Sequence, residues 1–584
     1  MGQLKRRKHM IKLAKGRMSA VAVLGAVLFM VVQVIASLYL PNLTSDIVNN
    51  GVANGDVNYI WHTGIKMILF SLLSILAAVG NVFLASRTSQ KLGQNVRHDV
   101  YKKVLNYSHD EMDTIGTSSL ITRTTNDVTQ LQNAWMMILR MMIMAPIMLV
   151  GASFLAYQKD HALTAIFLVV IPIMLIFVGV LMKFAVPLFR KMQEKTDKIN
   201  LVFREGLTGV RVIRAFRQDN FEQQRFDVAN QDYTQNAVKV NTIMALALPV
   251  MTLIMSGTNI GIIWWGGHLI GQQALQTGNM IAFMTYAMQI LMSFMMLAMI
   301  LMFIPRAQAS AVRINEVLDQ SSPIDSPADP KALGDTPSLQ FDNVDFRYHG
   351  AEQPALSGID VDMKAGQTLA IIGGTGSGKT TMINLIPRFY DVEKGAVKVN
   401  GTPVQDLDLK ALHQAVAFVP QKAVLFSGTV RENMKYGNPD ATDDQIWHAL
   451  EIAQSRDFIA ENPEGLDYHV EQGGGNFSGG QRQRLAIARA LVKDASIYVF
   501  DDSFSALDFK TDANLRQALR DDEQISKRVV VIVGQRVSTV ADADTIVVLD
   551  DGKMVGRGTH AELKASNTTY QEIIKSQIRE GDEA

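Results

Sequence analysis

The chain of 584 residues is too long for one hydrophobic core, so several domains are expected. Lysine plus arginine match aspartate plus glutamate at 56 each, so no global charge points to nucleic acid, and the lack of cysteine excludes disulfides, zinc–thiolate sites and iron–sulfur clusters. Apolar residues make up 48% and crowd into the first half in runs long enough to cross a bilayer, while acidic residues gather after about residue 319; a membrane half and a soluble half follow.

The opening MGQLKRRKHMIKLAKGR is basic and free of acidic residues. It lacks the serines of a transit peptide and leads into a full span with no small-residue cleavage site, so it reads as a cytoplasmic anchor. Six apolar segments follow: Met18 to Leu40, Tyr59 to Ala85, Met136 to Tyr157, Leu163 to Met182, Ile243 to Trp265 and Met280 to Ile304. Each reaches the roughly 20 residues a spanning helix needs. Pro41 to Asn58 and Gly266 to Asn279 contain no lysine or arginine, and Gln158 to Ala162 has only Lys159, whereas Ser86 to Trp135 and Lys183 to Thr242 are rich in both. The basic connections are expected in the cytoplasm, with both termini.

Those two connections lack the Gly/Pro-rich look of flexible loops and read as helices, so spans two to five are expected to run past the membrane and turn back through short crosswise helices. Near the first turn stand Asp113-x-x-Gly116, Arg123, Asn126 and Asp127; near the second, Glu205-x-x-x-Gly209, Ile213, Phe216 and Phe226. In these segments the chain resembles the transmembrane domain of ATP-binding cassette (ABC) exporters, whose coupling helices carry this spacing. Methionines recur at helical spacing on the third span (Met137, Met141, Met144, Met148) and the sixth (Met284, Met288, Met292, Met295, Met299, Met302). They suit either a flexible lining for hydrophobic ligands or a packing or lipid-facing stripe. None of the six segments contains Asp or Glu, and Arg140 and Lys183 sit near ends where they can snorkel, which argues against an intramembrane proton relay.

The polar, proline-studded stretch 319–337 reads as a linker between a transmembrane domain (1–318) and a nucleotide-binding domain (338–584). From Ser338 short β-rich runs give way to strands alternating with helices. Gly373 to Thr381, GGTGSGKTT, matches the phosphate-binding pattern Gly-x-x-x-x-Gly-Lys-Thr between an apolar strand (Thr368 to Ile372) and a helix that Pro387 stops. Its glycines (Gly373, Gly376, Gly378), with Thr375 and Ser377, let backbone N–H groups turn toward phosphate oxygens; Lys379 reaches the outer phosphates, Thr380 offers a hydroxyl to Mg²⁺, and Thr381 follows. The run Ile497 to Phe500 ends in Asp501, a carboxylate placed to hold Mg²⁺.

Phe477, Ser478, Gly479, Gly480 and Gln481 spell FSGGQ, followed by RQRLAIARAL, the signature of the ABC family. The resemblance spans about Met18 to Gln577. It implies that Tyr348 stacks on adenine, that Gln421 touches Mg²⁺, that Ser505-Ala-Leu-Asp508 crosses a dimer interface, that Gly558-x-His560 with Glu562 is the C-terminal pattern, and that Ser478 to Gln481 complete ATP bound on an opposite domain. The implied fold is multidomain, an all-α six-helix membrane domain followed by an α/β P-loop domain.

Three positions depart from the family pattern. Asp502 stands where a glutamate acts as base or orients water, Gln535 replaces the switch histidine, and Gln472 replaces a glutamate before the signature. A carboxylate one methylene shorter is withdrawn by about an ångström, enough to cost about 100-fold in rate; glutamine donates a hydrogen bond but forms no cation. The pattern resembles the degenerate-site subunit of bacterial heterodimeric multidrug exporters. It implies ATP and Mg²⁺ as cofactors and a partner half-transporter carrying the consensus Glu and His. It further implies a plasma-membrane location, hydrophobic or amphipathic cargo and no nucleic acid. A lipid flippase, a metabolite or peptide exporter and a nucleotide-sensing regulatory subunit are the alternatives.

Overall fold

The computed structural model describes residues 9–321 and 324–577. Contacts divide it into two units, Met1–Leu105 with Thr117–Gln320, and Asn106–Gly116 with Ser321–Ala584.

In the first unit, apolar runs satisfy their backbone groups internally as helices. They are α1 (Ala20–Asp46), α2 (Val57–Leu105), Thr117–Lys159, His161–Thr208, Asp219–Gly271 and Thr277–Asp319. All six are long and apolar enough to cross a membrane. The second to fifth have 43 to 53 residues, against about 20 for the bilayer, so they extend well past it, as their charged continuations suggested. In chain order, the short helix between the second and third, which belongs to the second unit, is α3 (His109–Ile115), the third span is α4 (Thr117–Lys159), the fourth α5 (His161–Thr208), the second short helix α6 (Val210–Ala215), the fifth α7 (Asp219–Gly271) and the sixth α8 (Thr277–Asp319).

Polar side chains fix the packing of this unit. Asn81 of α2, buried, donates to the carbonyls of Ala26 (2.8 Å) and Leu139 (3.4 Å), the second lying in a π-helical turn of α4, Ile138–Met142. Asp127 of α4 accepts from Ser310 (2.8 Å) and pairs with Arg313 on α8. The methionine stripes divide. Met144, Met148 and Met284 pack against a buried cluster that includes Phe167, Phe283 and Tyr286, whereas Met288 and Met292 are each 47% exposed. The side chains of Met299 and Met302 lie outside the described residues.

The second unit is built on a ten-stranded sheet. Its strands are β1 (Ser338–Phe346), β2 (Leu356–Lys364), β3 (Thr368–Gly373), β4 (Lys394–Val399), β5 (Thr402–Pro403), β6 (Val416–Val419), β9 (Ile497–Asp501), β10 (Val529–Val533), β11 (Thr545–Asp550) and β12 (Lys553–Gly558); β7 (Gly428–Thr429) and β8 (His469–Val470) form a separate pair. The order is β5-β4-β1-β2-β12-β11-β3-β10-β9-β6. The run β11-β3-β10-β9-β6 is parallel and almost wholly buried, as continuous Val/Ile-rich strands require, and the β1, β2, β4 side is antiparallel. Residues 324–337 form no regular element, yet they are tied to this unit: Lys331 N donates to Asp406 O (2.8 Å) and Asn400 donates to Gly334 O (2.8 Å).

Candidate functional site

β3 is an interior strand between β11 and β10, and the chain leaves it at Gly373 to form a tight loop before α9 (Lys379–Asn384). Gly376 and Gly378 adopt φ of +84° and +99°, the left-handed region that suits glycine. At Gly378 a Cβ would also lie 2.9 Å from Leu356 Cδ2 and 3.0 Å from Ala355 O. The N–H groups of Gly376 and Gly378 donate to no backbone carbonyl among the described residues, and Ser377 Oγ is buried without a partner. Such free donors at a helix start suit an anion.

Around the loop lies a cleft of about 370 Å³ lined by Tyr348, Pro354, Ala355, Gly376, Gly378, Lys379, Thr380, Thr381, Asp551 and Gly552. Lys379 Nζ donates to Gly373 O (3.0 Å) and Gly374 O (2.6 Å). Burial lowers its pKa, against the opposing charges of Asp502 and Asp501. Thr380 Oγ1 donates to Asp501 Oδ1 at 3.2 Å, which sets a hydroxyl beside a carboxylate, the hard oxygen pair that Mg²⁺ favours. Burial pushes the Asp501 carboxyl up to about 6; the Thr380 hydroxyl pulls it down, and the Asp502 charge raises it. Thr375 is exposed on the loop.

Asp502 has φ of +45°, a conformation Asp tolerates better than most residues. Its Oδ2 accepts from Gln535 Nε2 (2.8 Å) and from Gln421 Nε2 (3.2 Å). Asp502 and Gln535, two of the three positions singled out in the sequence, are therefore hydrogen-bonded to each other, and Gln421 joins them through a second amide N–H···O hydrogen bond to Asp502. Burial raises the Asp502 pKa, while Gln421, Ser505, Lys379 and Gln535 act in the opposite sense.

Tyr348 donates to or accepts from Thr381 Oγ1 at 2.9 Å, and its ring meets Phe346 and Tyr390 edge-on, with centroids 4.9 and 5.3 Å apart. Tyr390 lies 5.8 Å from His109 of α3, which stacks on Phe389 at 4.6 Å. A line of rings thus connects the first short helix to the cleft.

The signature residues do not line this cleft. Ser478 caps α10 (Gly479–Leu491) in a capping box: its N–H donates to Gln481 Oε1 (2.9 Å) and its Oγ accepts from Gln481 N (3.2 Å). A Cβ on Gly479 would meet nothing within 4 Å, and one on Gly480 would meet Ala506 O at 3.4 Å. Phe477 is buried against Tyr468 and Phe458. Asp508 caps α11 (Phe509–Asp521) by accepting from Thr511 N (3.0 Å) and Oγ1 (2.7 Å).

Sequence reasoning missed Pro354, Ala355, Asp551 and Gly552 as lining residues. Asp551 and Gly552, with φ of +45° and +75°, are the two-residue turn of the β11–β12 hairpin, and Asp-Gly is the signal for such a turn. The turn reaches the cleft because Leu549 of β11 pairs with Gly373 of β3 and Gly552 N donates to Ser377 O (3.2 Å). That placement depends on strand order.

A family model described as the ABC transporter transmembrane region matches residues 23–294, and one described as ABC transporter matches 356–505. The chain belongs to the ABC transporter family, as a half-transporter of the exporter type that joins one membrane domain to one ATP-binding domain. An uncharacterised ABC transporter ATP-binding protein of Mycobacterium tuberculosis is 42% identical over 94% of each chain. One of Bacillus subtilis is 34% identical over 96% of this chain and 97% of its own. A protein of Chromobacterium violaceum described as an ATP-dependent lipid A-core flippase is 30% identical over 95% and 94%. A solved bacterial Atm1-family ABC exporter with ATP bound superposes with a TM-score of 0.81 at 25% identity, covering 96% of this chain and 99% of that one. The second unit accordingly carries an ABC-type ATPase domain, and exporters of this family work as dimers in the membrane.

Proposed function

We propose that this chain is the degenerate-site half of a heterodimeric exporter that uses ATP to move hydrophobic or amphipathic compounds, multiple drugs among them, out across the cell membrane. The observation that carries the reading is the double engagement of Asp502 Oδ2 by Gln535 and Gln421. A water or proton that must reach this carboxylate oxygen competes with the two amide donors already bonded to it, and the side chain is also one methylene short of glutamate. Binding groups are present beside it. Lys379, Thr380 and Asp501 would hold the outer phosphates and Mg²⁺, which would neutralise phosphate charge when bound, and Tyr348 would offer a ring to the base. This chain's Ser478 to Gln481 face a nucleotide held on the partner, and the basic connections with both termini lie in the cytoplasm. The line from His109 through Tyr390 to Tyr348 supports coupling of nucleotide binding to the membrane helices. The relatives described as lipid A-core flippases favour lipid as a second class of cargo.

The test is steady-state ATPase of the purified full-length chain beside its Asp502→Glu/Gln535→His variant. The unmodified chain is expected to turn over poorly and the variant about tenfold faster or more, since a displacement of about an ångström at a reacting group can cost 100-fold. Brisk turnover by the unmodified chain as a verified homodimer overturns the reading.

A further inference from the structure

The last described helices lie close to the switch position. These are α12 (Val537–Val540), α13 (His560–Ser566) and α14 (Thr568–Gln577). Tyr570 of α14 is fully buried, and Ile573 and Ile574 pack with it on a cluster formed by Ala370 and Ile372 of β3, Ile546 and Val548 of β11, and Val540 of α12. The helix is therefore seated on the strand that carries the phosphate loop and on the helix that follows Gln535. Its own anchor is separate from the site: Tyr570 OH meets His560 Nδ1 at 2.7 Å.

At the end of α14, Gln577 Nε2 donates to Gln535 O (2.7 Å) and Gln577 Oε1 accepts from Val537 N (2.8 Å). One side-chain amide thus spans the carbonyl of a residue and the N–H two positions on, as a neighbouring strand would. On the opposite flank Gly534 N donates to Ile371 O (3.1 Å), so the backbone leading to Gln535 is held from β3 and from α14. Gln535 then directs its side-chain amide to Asp502 at 2.8 Å. Gln577 is exposed, and these two hydrogen bonds are what its side chain makes among the described residues.

We infer that Gln577 is a positioning residue of the nucleotide site, acting through Gln535: the clamp fixes where the Gln535 amide points, and with it the rate at which nucleotide leaves the Lys379 cleft. The inference rests on the reading that this cleft binds ATP, but not on the Asp502 site being slow, because it concerns retention and not turnover. Stop-flow dissociation of a fluorescent, non-hydrolysable ATP analogue with Mg²⁺ from the full-length protein tests it. Gln577→Met keeps the length of the side chain and removes both bonds. Release should quicken about three- to tenfold in the unmodified background, the range that loss of one or two hydrogen bonds gives, and by less than about twofold in a Gln535→Ala background. Tyr570→Phe removes the other anchor of the same helix without touching the clamp and should leave release within about twofold.

Equal quickening by Gln577→Met in both backgrounds overturns the inference, because Gln577 would then act without Gln535. So does quickening by Tyr570→Phe as large as that by Gln577→Met, which would assign the effect to helix stability. Unchanged release in Gln577→Met overturns it as well. If the unmodified chain turns over briskly in the ATPase test while the two backgrounds still differ here, the degenerate-site reading fails and this one stands.

Discussion

The signature turn and the Asp502 corner are built on opposite plans. Ser478 to Gln481 close a capping box within four residues, and the space beside Gly479 is open. The Asp502 corner gathers side chains from Gln421, Asp502 and Gln535, three segments far apart in the chain, and they bond to one another. The signature turn closes on itself and leaves its helix start open; in the corner, Gln421 and Gln535 both spend their amides on one Asp502 oxygen. A helix N-terminus acts through backbone groups that no side-chain exchange removes, whereas hydrolysis depends on side-chain reach. Binding and turnover can thus part company within one chain.

The largest expected effect sets these two regions against each other in an assembled heterodimer. A Cβ at Gly480 makes only ordinary contact with Ala506 O, so Gly480→Asp should fold; its carboxylate would then face the partner's terminal phosphate. Steady-state ATPase should fall about 100-fold or more, the scale for replacing a stabilising group at a developing charge with a repulsive one. Asp502→Asn should cost less than about twofold in the same pair, because its site contributes little turnover. Equal losses would make the Asp502 site catalytic and erase the contrast.

The same contrast explains what could be read in advance. The phosphate loop, the signature box and the six apolar runs are local patterns, each set by a few neighbouring residues, and the structure forms a capping box at Ser478 and left-handed glycines at 376 and 378. Asp502 and Gln535 stand out in the sequence only through the family resemblance, and their mutual hydrogen bond requires β9 to lie beside β10 in parallel register, Asp501 opposite Val533. Pro354, Ala355 and the Asp551-Gly552 turn reach the cleft because β11 lies against β3. Gln577 reaches Gln535 through the packing of Tyr570 and its neighbours. Non-local strand order and helix docking leave no short motif. The methionine spacing marked a helical face, but which methionines pack and which stay exposed depends on neighbouring helices.

A smaller effect sharpens the binding side of the comparison. With Asp501 pushed up to about 6, mainly by burial, it is charged at neutral pH and takes a proton as the pH falls through that value. Protonation removes the negative oxygen opposed to Mg²⁺, so Mg²⁺-dependent nucleotide affinity should weaken on acidification. Between about pH 7 and about pH 5 the charged fraction drops about tenfold, and so should the affinity. The analogue's own phosphate titrates nearby, so the informative quantity is the difference from Asp501→Asn, which should bind weakly at both values with a flatter profile. Matching profiles in both proteins would place the titrating group elsewhere.

The smallest effect is that of the Tyr348 hydroxyl, on a residue that takes part in the cleft in two ways. Its hydroxyl meets Thr381 Oγ1 at 2.9 Å, and its ring is held edge-on by Phe346 and Tyr390. Tyr348→Phe keeps the ring and both edge contacts and removes only the hydroxyl; Thr381, buried, loses one partner. A neutral hydrogen bond of that kind contributes about 1 kcal/mol, so nucleotide affinity should fall by about threefold to fivefold at most. Tyr348→Ala removes the stacking surface, which for a base on an aromatic side chain is worth about 1–3 kcal/mol, so its loss should be about tenfold or more. Equilibrium titration with the fluorescent analogue and Mg²⁺ separates the two. If Phe costs as much as Ala, the hydroxyl and its bond to Thr381 carry the contribution, and Tyr348 acts by shaping the first turn of α9 and not by offering its ring to the base.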